Sequence, residues 1–92
     1  MKAVFYNEPG ESEVLQYDDV ADPEPGAGDV IVDVAATALN RLDLLQRHGW
    51  FQLPGFTYPH IAGMDVAGVV SIVGAEVAEV AVGDRVVVDP SL

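Results

Sequence analysis

The sequence predicts a mainly β fold, a small barrel or sandwich of short strands with one short helix. Three observations carry that expectation. Val supplies sixteen of the 92 residues, and β-branched side chains favour a pleated surface. Clusters of Pro and Gly cut the chain into short apolar runs, the rhythm of short strands joined by turns. One segment alone, 40–48, carries helix signals at both ends.

The elements follow in order. Residues 2–6 read as a first strand, closed by the turn chemistry of Glu8-Pro9-Gly10. Residues 14–17 make a short second strand. Asp22-Pro23-Glu24-Pro25-Gly26-Ala27-Gly28-Asp29 is a loop, because Pro removes donors and Gly loosens the backbone. Residues 30–36 form a third strand in which Val30, Val32 and Val34 alternate with Ile31 and Asp33, which predicts one buried face. The helix opens on Asn40, a good N-cap, with Asp43 three residues on where its charge suits the helix N-terminus. Leu42 and Leu45 share a face and Gly49 fits the stop. Residues 50–59 are an aromatic loop. Residues 65–73 are a strand interrupted by Gly68, which marks a bulge or a close backbone approach. Gly83-Asp84 turns the chain into a closing strand, 85–88. A doubly wound α/β unit is excluded, since no Gly fingerprint lies between a strand and a helix; Gly26-Ala27-Gly28 precedes a strand instead.

Fifteen acidic against four basic side chains give a formal charge of −11. Nucleic acid and anionic membrane surfaces are therefore not expected partners, because both require a basic face. Half of the residues are apolar, enough to fold despite the charge. The N-terminus turns polar too early for a signal peptide, so a cytoplasmic protein is expected. An Asp-rich, Lys-poor surface suits a high-salt cytoplasm, and a GC-rich genome gives the same bias. With no Cys, disulfides, thiolate metal sites and Cys nucleophiles are ruled out together.

Few residues are left to do chemistry. Asn40-Arg41-Leu42-Asp43 reads as a helix cap and, with Arg41, as a corner that favours anions. Asp65 enters an apolar run, where a carboxylate is costly unless paired. His48 and His60 stand twelve apart with no Cys neighbours, which is not a metal-ligand spacing. His48 reads as a C-terminal helix residue and His60 as a loop residue with a satisfied ring. Trp50, Phe51, Phe56 and Tyr58 form either a loop packed on the barrel or the apolar wall of a cleft.

In this order the pieces resemble the N-terminal GroES-like catalytic domain of medium-chain dehydrogenases/reductases, the zinc alcohol dehydrogenase and quinone oxidoreductase superfamily. The resemblance runs over residues 1–92. It rests on Met1-Lys2-Ala3-Val4 with the Glu-Pro-Gly turn, the Pro-x-Pro-Gly-x-Gly-Asp-Val loop at 23–30, and Ala38-Leu39-Asn40-Arg41-Leu42-Asp43 with Arg47 and Gly49. It ends on Gly63-x-Asp65-x-x-Gly68-Val69-Val70 and Val82-Gly83-Asp84-Arg85-Val86. It implies a GroES-like, partly open β-barrel with one short helix.

The departures bear on mechanism. Zinc-dependent members open the helix with a Cys ligand where this chain has Asn40. They place a His where it has Met64, and often a hydroxyl relay where it has Leu42. Amide and thioether groups are poor zinc ligands beside a thiolate and an imidazole. The resemblance therefore implies a lost catalytic zinc site and a place nearer the quinone-oxidoreductase-like branch. In some relatives the segment following Asp89-Pro90-Ser91-Leu92 leads to a Cys-rich structural zinc lobe.

For individual residues it implies that Asn40, Asp43 and Asp65 are catalytic, lying beside nicotinamide and substrate or in the former metal pocket. Arg41 would approach the cofactor pyrophosphate. Arg47, Trp50, Tyr58 and Met64 would form the substrate side. NAD or NADP would be held by a Rossmann domain outside these residues. The chemistry would be hydride transfer between the cofactor and a carbonyl, enone, quinone or alcohol, in a homodimer or homotetramer. On that view the 92 residues are cut where a catalytic domain continues, inactive alone and with an exposed apolar patch. Two alternatives stand beside it: a self-sufficient co-chaperonin-like binding module, and zinc held by an altered set of Asp43, His60 or Asp65.

Overall fold

A computed structural model describes residues 1–88; the 89–92 segment lies outside the described residues. The chain divides into two compact units, each built from two stretches of sequence. Unit 1 combines Met1–Ala21 with Leu39–Met64, and unit 2 combines Asp22–Ala38 with the chain from Asp65.

Unit 1 is a three-stranded antiparallel sheet with one helix. The central strand β1, Lys2–Tyr6, pairs on one side with β2, Gln16–Asp19, so that Lys2 lies opposite Asp19 and Phe5 opposite Gln16. On its other side lies β4, His60–Ile61, with Tyr6 opposite His60. A 3-10 turn at Ser12–Val14 takes the place expected for the start of the second strand, which begins two residues later. Three residues closing on i to i+3 bonds suit the connector after Glu8-Pro9-Gly10. Strand β4 is a correction to the sequence reading, which made His60 a loop residue with a satisfied ring. A two-residue strand is too short to show a period, and only pairing with β1 reveals it.

The helix α1, Arg41–His48, has the expected ends. Asn40 adopts extended backbone angles and its side chain accepts from the Leu42 N–H at 2.9 Å, while Asp43 Oδ2 accepts from the Asn40 N–H at 3.0 Å. This reciprocal capping box satisfies donors that a helix start leaves open. Gly49 closes the helix at φ 81°, a left-handed angle that costs glycine little.

Unit 2 is a second antiparallel sheet in the order β3-β5-β6, made of Val30–Ala38, Asp65–Val73 and Arg85–Val87. The β3–β5 register shifts between Ile31 and Val32 and again between Val34 and Ala36, where Gly68 faces Val34. A Cβ on Gly68 would lie 2.8 Å from Val32 Cγ1 and 2.9 Å from the Asp33 carbonyl carbon. The interruption at Gly68 is thus the close backbone approach that a glycine inside a strand signals.

The mainly β class with one short helix expected from the sequence holds. Among the described residues the sheet within each unit is three-stranded and does not close into a barrel. The core among the described residues is small: Tyr6 and Val70 are the buried apolar residues, each 1% exposed. One expectation for β3 fails. Val30 to Val32 are half-buried, but Val34 is 58% exposed, and Asp33 and Ala35 to Ala38 are exposed as well. Alternation marks a strand meant to be covered on one face, but covering it needs a partner layer that a three-stranded sheet does not supply. Val69 and Val87 of the same sheet are likewise exposed.

Candidate functional site

The chemistry-bearing residues of unit 1 gather around α1. Its N-terminal turn carries Asn40, Arg41 and Asp43. Asn40 spends its side-chain oxygen on the Leu42 N–H. Arg41 is exposed, and no hydrogen bond or ion pair holds its guanidinium among the described residues. A free guanidinium at a helix N-terminus, beside backbone N–H groups, fits an anionic oxygen. Asp43 divides its carboxylate: Oδ2 takes the Asn40 N–H, while Oδ1 is buried with no hydrogen-bond partner.

Behind Asp43 lies an aromatic cluster. Tyr6 meets Tyr58 edge-on at 6.1 Å between ring centroids and His60 edge-on at 5.4 Å. Phe56 stacks on His60 at 4.3 Å and meets Tyr58 edge-on at 5.2 Å. Such pairs add specific geometry to the burial of their area. His60 Nε2 is buried and unpartnered. Burial lowers the His60 pKa from the usual 6.5, with the Asp43 carboxylate pulling the other way. Burial raises the Tyr6 phenol above 10.0; Tyr58 and Asp43 add to the rise and Arg47 opposes it. Tyr6, Tyr58, His60 and Asp43 therefore share one electrostatic environment, with Arg47 as its cation. This grouping escaped the sequence reading, because Tyr6 and His60 stand 54 positions apart and only β1–β4 pairing joins them.

The other end of α1 is locked to the 3-10 turn. Arg47 Nε donates to the Gly10 carbonyl at 3.2 Å, and the Gly10 N–H donates to the Arg47 carbonyl at 2.9 Å. Glu11 lies 3.9 Å from Arg47 Nη2 and 3.6 Å from His48 Nδ1. His48 stacks flat on Trp50 at 4.3 Å, and Trp50 is otherwise 73% exposed. The aromatic loop thus has two halves: Phe56 and Tyr58 pack on the unit, while Trp50 and Phe51 face outward. Met64 ends unit 1, half-buried. Asp65 opens β5 of unit 2, half-buried, opposite Ala38.

Two absent groups can be tested against these residues. The exposed Arg41 guanidinium at the helix start has the chemistry to meet a phosphate oxygen of a dinucleotide. A catalytic zinc does not fit the donors at 40 and 64: the Asn40 oxygen is committed to the cap, and Met64 offers a thioether, a soft donor poor for zinc. Among the described residues no group of three or more His, Cys, Asp or Glu is placed to hold a metal ion. No helix among them is long and apolar enough to cross a membrane.

Comparison with known proteins shows the family. The alcohol dehydrogenase GroES-like domain matches residues 26–91. Acryloyl-coenzyme A reductase of Sulfurisphaera tokodaii is 38% identical over 87 residues, which are 95% of this chain and 25% of that protein. Among solved structures, Escherichia coli quinone oxidoreductase complexed with NADPH superposes with a TM-score of 0.85 at 31% identity, covering 95% of this chain and 26% of that one. An NAD-dependent alcohol dehydrogenase superposes at 0.83 with 44% identity, covering 95% and 25%. The chain spans about a quarter of the length of the curated relatives it matches.

Proposed function

The chain belongs to the alcohol dehydrogenase GroES-like domain family of the medium-chain dehydrogenases/reductases; from that premise we propose that it is the substrate-side catalytic domain of an NAD(P)-dependent oxidoreductase that works without catalytic zinc. The single observation that supports this most is the N-terminal turn of α1. It offers a free Arg41, a capping Asn40 and a half-engaged Asp43, and no thiolate or imidazole at the ligand positions.

The nicotinamide cofactor supplies the hydride when bound, through a domain beyond these residues. This chain's residues position and polarise. Arg41 binds a cofactor phosphate oxygen. Asn40 and Asp43 border the reacting carbonyl or conjugated double bond, Asn40 by its amide and Asp43 by the carboxylate that fixes it. Asp65, at the start of β5, is the third group assigned a catalytic role. Arg47, Trp50, Tyr58 and Met64 form the substrate side, with Trp50 and Phe51 offering exposed apolar surface to a small substrate. The relatives named as acryloyl-coenzyme A reductase, quinone oxidoreductase and alcohol dehydrogenase support an enone, quinone, related carbonyl or alcohol as substrate. The complete protein is read as cytoplasmic and as a homodimer or homotetramer.

The test is a chimera in which this chain replaces the corresponding domain of the Escherichia coli quinone oxidoreductase. Oxidation of NADPH by a quinone or enone supports the proposal, with kcat falling at least tenfold in Asn40→Ala and Asp43→Ala. A folded chimera that binds NADPH but reduces neither substrate overturns it.

A further inference from the structure

Two buried polar atoms of unit 1 are unsatisfied, Asp43 Oδ1 and His60 Nε2, and the Asp43 carboxylate acts electrostatically on the His60 ring. A buried carboxylate oxygen or imidazole nitrogen without a partner is costly, and native interiors settle such atoms with protein or ordered water. The two atoms are complementary. A carboxylate oxygen only accepts, while an imidazole nitrogen donates or accepts according to tautomer. Both are held rigidly: Asp43 by its bond to the Asn40 N–H, His60 by stacking on Phe56 and by the edge of Tyr6.

We infer that His60 is a positioning residue for Asp43, linked to it by a single buried water that bonds both Asp43 Oδ1 and His60 Nε2. A water with two fixed polar partners is of the kind that interiors retain. The link fixes the second oxygen of Asp43 as the capping box fixes the first. The carboxylate, and through it the Asn40 backbone, is then held at both ends. The lowered His60 pKa keeps the ring neutral at neutral pH, so the link needs no ion pair. The groups that face His60 are Tyr6 from β1, Phe56 from the loop and Asp43 from α1, with Tyr58 and Arg47 acting on Tyr6. Its meaning for turnover rests on the reading that the α1 start is the catalytic corner; the link itself does not.

The chain has two histidines, so ¹⁵N-labelled imidazoles give two resolved titrations, with His48 as internal control. The measurements are made on the full chain after dialysis against a chelator. The expected result is that Asp43→Asn lowers the His60 pKa further and changes the Nε2 signal, leaving His48 unmoved. A crystal structure should show one water within hydrogen-bond distance of both atoms. His60→Phe preserves the stack on Phe56 and should lose the water, and His60→Gln should regain it. A His60 titration indifferent to Asp43→Asn, or density with no shared water, overturns the inference. Failure of the chimera with the link intact would instead overturn the functional reading alone.

Discussion

Replacing Gly68 by Ala tests how unit 2 is built. The added Cβ would sit 2.8 Å from Val32 Cγ1 and 2.9 Å from the Asp33 carbonyl carbon, both closer than real Cβ atoms come to a neighbour, and it would press on the Asp33 oxygen as well. A side-chain tip can rotate away, but the Asp33 peptide cannot, because β3 and β5 are tied by backbone pairing on both sides of it. The strain must therefore move one strand against the other near the register shift. Overpacking a fitted interior costs about 1–3 kcal/mol, and a backbone obstacle belongs at the upper end, about 3 kcal/mol. The assay is urea unfolding followed by far-ultraviolet circular dichroism, with hydrogen exchange of the β3 and β5 amides. Gly28→Ala is the control, since a Cβ there meets nothing within 4 Å and its φ is not left-handed. A Gly68→Ala variant within about 0.5 kcal/mol of the parent, the range of neutral surface changes, would refute the close-approach account.

Other outcomes follow from the same geometry. Asn40→Ala removes the cap bond to the Leu42 N–H and should cost about 1 kcal/mol by thermal unfolding; Asn40→Ser should recover that stability but not the chimera's activity. Arg41→Ala in the chimera should raise KM for NADPH about tenfold with kcat little changed, the loss expected of one charge-assisted bond. The His60 pKa lies below its unfolded value of 6.5, so its share of stability is present above pH 6.5 and is lost as pH falls through the folded value. Acid titration of stability by circular dichroism should show that loss, and His60→Phe should lack it. The Tyr6 pKa lies above 10.0, so its share is present below pH 10 and is lost as pH rises through the folded value; Tyr6→Phe should flatten that alkaline limb.

The helix was legible in the sequence because its ends are local chemistry. Asn40, Asp43 and Gly49 each act within four residues, and the structure places them as a capping box and a left-handed cap. The strand 65–73 and its glycine were legible for the same reason. What stayed hidden depends on pairing across the chain. The two residues of β4 carry no period, and the Tyr6–His60 contact exists only because β1 and β4 are neighbours. The buried face expected on β3 was read from alternation, which reports what a strand is suited to pack against. Val34 remains exposed because the described residues of unit 2 supply no layer over it. Of the candidate site, α1 gathers Asn40, Arg41 and Asp43 in one turn, whereas the partner of Asp43 inside the unit had no motif to announce it.

Hydride transfer without a catalytic metal is tested most directly by one measurement on the chimera. After exhaustive dialysis against a chelator, zinc content and the rate of NADPH oxidation by an enone are determined on the same sample. Full turnover in metal-free protein is the predicted result. Activity that vanishes with the metal and returns with stoichiometric zinc would contradict the account.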